Sequence, residues 1–79
     1  MNTFERLVKV CNAVFEGEVD ISKATPEANL MEDVGMNSIG LLYMAMALEE
    51  EFSIKFNSED FTKIQTVGDV IATIERKVG

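Results

Sequence analysis

Seventy-nine residues with a hydrophobic share of 47% suffice for one small domain with its own core, and are too apolar for a disordered chain. A single cysteine and no histidine exclude an internal disulfide and any His/Cys metal cluster. The net charge of −7 argues against nucleic acid or an anionic membrane as partner.

That charge is unevenly placed. Between Glu27 and Thr62 eight acids meet one base, Lys55, whereas the rest of the chain balances six acids against six bases. All of the net charge therefore surrounds the middle of the sequence, which favours a basic protein surface as partner. The opening residues Met1 to Arg6 lack the basic and apolar regions of a signal peptide, and the longest apolar run is eight residues, too short for a membrane span. The expectation is a cytoplasmic protein without membrane insertion, working as a monomer.

In chain order, Asn2 and Glu5 have the spacing of a capping box. Phe4, Leu7, Val8, Cys11 and Phe15 then recur at helical spacing with Val14 alongside, and Gly17 is the expected terminator. Cys11 lies on this stripe and reads as a small core residue. From Gly17 to Asn37 no period persists, and Thr25-Pro26 breaks any helix. Val19, Ile21, Leu30 and Val34 are scattered through this segment, so it is expected to cross the bundle and add to the core.

Gly35 marks a turn, and Asn37 or Ser38 opens the second helix as its N-cap. At about 100° per residue, Leu41, Met44, Ala45, Leu48 and Phe52 share one face. Ile39, Tyr43, Met46 and Glu50 share the opposite face, with Leu42 between the two. A small bundle buries only one stripe per helix, so the second stripe faces water or a partner. After Phe52, Asn57 to Asp60 offer another helix start, with Phe61 and Ile64 facing inward. Thr66 and Asp69 begin the last helix, whose predicted buried stripe is Val67, Val70, Ile71, Ile74 and Val78, with Arg76 and Lys77 in its last turn. The predicted fold class is all-α: three main helices and one short one, with a long loop between the first and second.

The chain has no histidine for general-base work and no phosphate-cradling glycine loop followed by Lys-Ser/Thr. Adjacent Glu49, Glu50 and Glu51 fan around a helix and cannot converge on one substrate. An independent catalyst is not expected. Ser38 instead offers an attachment point, because an esterified phosphate there would lie beside free N–H groups at the positive end of a helix. The same serine also serves as a plain N-cap candidate.

The surrounding residues resemble the acyl carrier protein family. Glu32-Asp33-Val34-Gly35-Met36-Asn37-Ser38-Ile39, Ala47-Leu48-Glu49-Glu50-Glu51-Phe52 and Lys63-Ile64-Gln65-Thr66-Val67-Gly68-Asp69 stand in the family's order and spacing. The resemblance implies a 4′-phosphopantetheine arm on Ser38, added from coenzyme A by a phosphopantetheinyl transferase. The arm's thiol would hold an acyl group as a thioester for acyl-loading and acyl-processing enzymes with basic docking surfaces. The docking face is then Asn37, Ile39, Leu42, Tyr43, Met46, Glu49 and Glu50. The acyl pocket is Leu41, Met44, Ala45 and Leu48, with Phe56, Ile64 and Val70 opposite.

Four positions depart from the family pattern. Asn37 stands for the usual aspartate before the serine, Gly40 and Tyr43 for residues that are often acidic, and Asn57 for a common proline. The expected docking face is more apolar than usual, which points to a carrier dedicated to one pathway. An aminoacyl or polyketide carrier with the same arm is one alternative. An acidic helical adaptor that is never modified is another.

Overall fold

Three capping boxes close in the computed structural model, at Asn2–Glu5 and Thr66–Asp69 and also at Asn57–Asp60, where only a helix start is expected. The structure describes residues 2–19 and 21–79, and Met1 and Asp20 lie outside it. Asn2 Oδ1 accepts the Glu5 N–H at 2.8 Å, and Glu5 Oε1 accepts the Asn2 N–H at 3.0 Å. This starts α1 (Thr3–Phe15), which ends where Glu16 and Gly17 take left-handed conformations with φ of 51° and 83°. The remaining helices are α2 (Ser38–Phe52), α3 (Ser58–Lys63) and α4 (Val67–Val78), so the described residues form the expected three long helices and one short one.

The long connection between α1 and α2 packs as predicted. Ile21, Leu30 and Met36 are buried with the core. Its backbone also finds partners across the molecule, as a buried loop must. The Leu30 N–H donates to Gln65 O at 2.9 Å, Val67 to Ala28 O at 3.0 Å and Gly68 to Pro26 O at 2.9 Å. These bonds seam the loop to the junction of α3 and α4, with Asn29 and Thr66 paired in a single antiparallel bridge.

The core joins Leu7, Val10 and Cys11 of α1 to Met44 and Leu48 of α2 and to Val67, Val70 and Ile74 of α4. Cys11 is fully buried, and desolvation pushes its thiol pKa up to about 11, which fits a packing residue and not a reactive one. Val78 is a correction to the predicted stripe, being 56% exposed in the final turn of α4, where the helix face outlasts the core.

Arg6 fastens α1 to the far end of α2. Its Nε lies 3.0 Å from Glu51 Oε2, one Nη donates to Glu51 O at 2.8 Å, and its guanidinium sits 4.1 Å above the Phe52 ring. The planar fork thus uses carboxylate, carbonyl and ring together. Among the described residues, no helix is long and apolar enough to cross a membrane.

Candidate functional site at the start of the second helix

Gly35, at φ 89°, turns the chain toward α2 in a conformation that a residue with a Cβ rarely adopts. The next residue, Met36, is buried and donates its N–H to Leu30 O at 2.9 Å, which fixes the approach. Asn37 is the N-cap: its Oδ1 accepts the Gly40 N–H at 2.7 Å, and its carbonyl accepts the Leu41 N–H at 2.9 Å. Ser38 is then the first helical residue, and it is exposed.

With Asn37 occupied by Gly40, the amides of Ser38 and Ile39 lie ahead of the first intrahelical bond. No acidic residue lies in the first turn of α2. An exposed hydroxyl at a helix start with free amides and no competing carboxylate suits a phosphodiester attached there. Asn37 therefore takes the capping task, and Ser38 is free of it.

The two stripes of α2 separate as expected. Met44, Ala45 and Leu48 are buried, and Leu41 is half-buried against the core. On the other side Ile39 (63% exposed), Tyr43 (58%), Met46 (61%) and Leu42 (52%) form a continuous apolar surface, joined by exposed Glu50. The low-polarity half-turns of α2 thus exceed what the core can take up.

Two positions differ from the sequence reading. Gly40 is buried, and a Cβ there would lie 3.0 Å from Phe15 Cε1, 3.2 Å from Asn37 Oδ1 and 3.3 Å from Met36 Cγ. It belongs to the α1 contact, so the apolar character of the exposed face comes from Tyr43 and its neighbours. Glu49 is half-buried, and its Oε2 accepts the Phe56 N–H at 2.8 Å. A carboxylate tied to the following loop is less available to a partner than that of Glu50.

The residues expected to line an acyl pocket do converge. Met44, Leu48, Ile64 and Val70 belong to one buried cluster, Leu41 and Phe56 pack on its edge, and Ala45 is buried beside them. They meet as packed side chains. An open cleft of about 880 Å³ lies elsewhere, bordered by Val14 and Phe15 of α1, Tyr43, Met46 and Glu50 of α2, and Ile54. Val14, Phe15 and Ile54 were not in the predicted docking set. Their approach to the exposed face depends on how α1 packs against α2, which no local pattern encodes.

Asn57 also has a structural task. Its Oδ1 accepts the Asp60 N–H at 3.0 Å, and its own N–H donates to Asp60 Oδ2 at 2.9 Å. A proline at this position could not supply the second bond.

Comparison with known proteins bears on the family and the fold. The family described as "Phosphopantetheine attachment site" matches residues 6–74. An acyl carrier protein of Thermotoga maritima is 44% identical over 61 residues, which are 77% of this chain and 75% of that protein. The solution structure of holo acyl carrier protein from Geobacter metallireducens superposes with a TM-score of 0.81 at 24% identity, over 99% of this chain and 87% of that one. A crystal structure of an acyl carrier protein from Thermotoga maritima gives 0.80 at 24% identity, over 94% and 84%. The two superpositions bear on the fold alone. The sequence matches bear on the family: the chain belongs to the acyl carrier proteins, whose cofactor is covalently attached 4′-phosphopantetheine.

Proposed function

We propose that Ser38 bears the arm and that the protein carries acyl intermediates for fatty-acid, lipid or specialised biosynthetic enzymes. The observation that supports this reading is an exposed Ser38 in the first turn of α2, relieved of capping by Asn37, beside an exposed apolar face. When bound, the group supplies a thiol that holds cargo as a thioester. The chain's own residues do the rest. The α2 N-terminus favours the phosphate's charge. Ile39, Leu42, Tyr43 and Met46 offer apolar contact to the enzymes that load and process cargo, and Glu50 attracts basic groups on them. Leu41, Met44, Ala45 and Leu48, with Phe56, Ile64 and Val70, shelter the acyl chain. Met44 adapts to varied chain shapes more readily than a branched residue does. The protein works as a monomer in the cytoplasm, and a separate transferase modifies it.

The apolar face also favours a dedicated pathway. Tyr43 places an aromatic ring, and not a carboxylate, in the middle of the docking surface. A carrier of this kind discriminates among enzymes more by shape than by charge. The same arm would serve aminoacyl or polyketide units.

The test is direct. Incubation with coenzyme A and a broad-range transferase adds the mass of one phosphopantetheinyl group, and Ser38→Ala abolishes the addition. A protein that keeps its polypeptide mass with every competent transferase overturns the reading. In that case Glu50→Lys, and not Ser38→Ala, would abolish partner binding, as for an acidic adaptor.

A further inference from the structure

The short helix α3 is held to the bundle differently from its neighbours. None of its residues belongs to the apolar core, and its one buried residue is a carboxylate, Asp60, only 5% exposed. Lys77 Nζ lies 2.9 Å from Asp60 Oδ2, and an Arg76 Nη lies 3.2 Å from Oδ1. Both cations come from the last turn of α4. The remaining donor to the carboxylate is the Asn57 N–H, and Lys77 also lies 5.9 Å from the centre of the Phe56 ring. On either side of α3 the chain is anchored by apolar contact, through Phe56 before it and buried Ile64 after it.

Within α3, half-buried Phe61 leans on the Phe56 ring with centroids 6.1 Å apart. The strap thus has apolar contacts at its ends and on one side, and its one buried group is charged. Only the carboxylate is covered, since the Arg76 and Lys77 side chains are 59% and 20% exposed. Such a pair gives little net adhesion, because desolvation of the acid and solvent screening of the cations offset most of its attraction. Apolar side chains of similar volume often hold as well or better. A charged fastener has one property that an apolar one lacks: it can be exchanged for other charges. We propose that Asp60, Arg76 and Lys77 form an ionic latch that keeps α3 closed over the core, and that its release lifts the strap to admit an acyl chain among Leu48, Phe56, Ile64 and Val70. The proposal rests on the carrier reading for its cargo. The latch itself does not depend on modification.

The first measurement is hydrogen exchange on the unmodified protein. Asp60→Asn, and separately Lys77→Met, which keeps an apolar stem over Phe56, should speed amide exchange in residues 57–64 by at least about tenfold. Exchange in the centres of α1, α2 and α4 should stay at the wild-type rate. The latch is refuted if residues 57–64 keep their protection in both variants, or if protection falls equally throughout the molecule. The second measurement uses protein loaded with an octanoyl-phosphopantetheine group. In the wild type, loading should shift the side-chain NMR signals of Phe56 and Ile64. In the apolar pair Asp60→Leu with Lys77→Met, which stays shut, those shifts should fall by at least half. Undiminished shifts in that pair would remove the latch's role in cargo entry. Failure of wild-type protein to accept the group would instead refute the assignment of Ser38 while leaving the exchange result standing.

Discussion

Helices α2 and α3 solve the same problem with opposite means. The longer one has apolar surface to spare: it buries Met44, Ala45 and Leu48 and still presents Ile39, Leu42, Tyr43 and Met46 to its surroundings. The shorter one has almost none, and the group it buries is Asp60. The difference teaches that burial in this small protein separates permanence from release. Hydrophobic burial scales with area and has no simple trigger, whereas a carboxylate between two cations responds to charge.

The largest effect should come from the permanent side. Leu48→Ala empties a fully buried position and should cost about 2–5 kcal/mol of unfolding free energy in a denaturant titration, enough to unfold much of so small a domain. Its counterpart on α3, Phe61→Ala, removes a half-buried ring outside the core and should cost below about 1 kcal/mol. Equal costs would erase the contrast. Next comes the cap that frees Ser38: Asn37→Ala should lose about 1 kcal/mol and fray the first turn of α2. Slower modification by the transferase should accompany it, because the serine would then sit on a frayed turn.

Acid should act on the charged side first. Hydrogen bonds from Lys77 and from the Asn57 N–H, together with the charge of Arg76, hold Asp60 below its ordinary value of 3.8. The N–H groups of Gln65 and Thr66 do the same for Asp69 at the start of α4. A carboxyl whose native pKa is depressed contributes stability that is fully present above its unfolded value and is lost as pH falls through the native one. The protection of α3 should therefore be flat from neutral pH down to about pH 5 and should decline only below 3.8, as read by hydrogen exchange. The smallest effect belongs to the exposed face. Met46→Ser should change stability by no more than about 0.5 kcal/mol while weakening association with acyl-processing enzymes, measured by titration.

Much of this could be read from the residues in order. Asn2 with Glu5, Asn57 with Asp60 and Thr66 with Asp69 are local pairs, so the helix starts were legible at once. So were the two faces of α2, because helical spacing alone sorts Met44 and Leu48 from Tyr43 and Met46. The loop's part in the core followed from apolar residues that no helix could use. What stayed hidden depends on contacts distant along the chain. Nothing near Gly40 announces that Phe15 lies against it, and nothing near Asp60 announces Lys77. Glu49 looked like one more surface acid until the loop carrying Phe56 folded back onto it.

The chain contains one tyrosine and no tryptophan, and the tyrosine is Tyr43, more than half exposed on the face assigned to partners. Beyond the weak emission of its five phenylalanines, the molecule therefore has a single strong fluorophore of its own, placed where a visiting enzyme would cover it. Its emission can follow each encounter with an unlabelled partner, provided that partner is silent at the same wavelength.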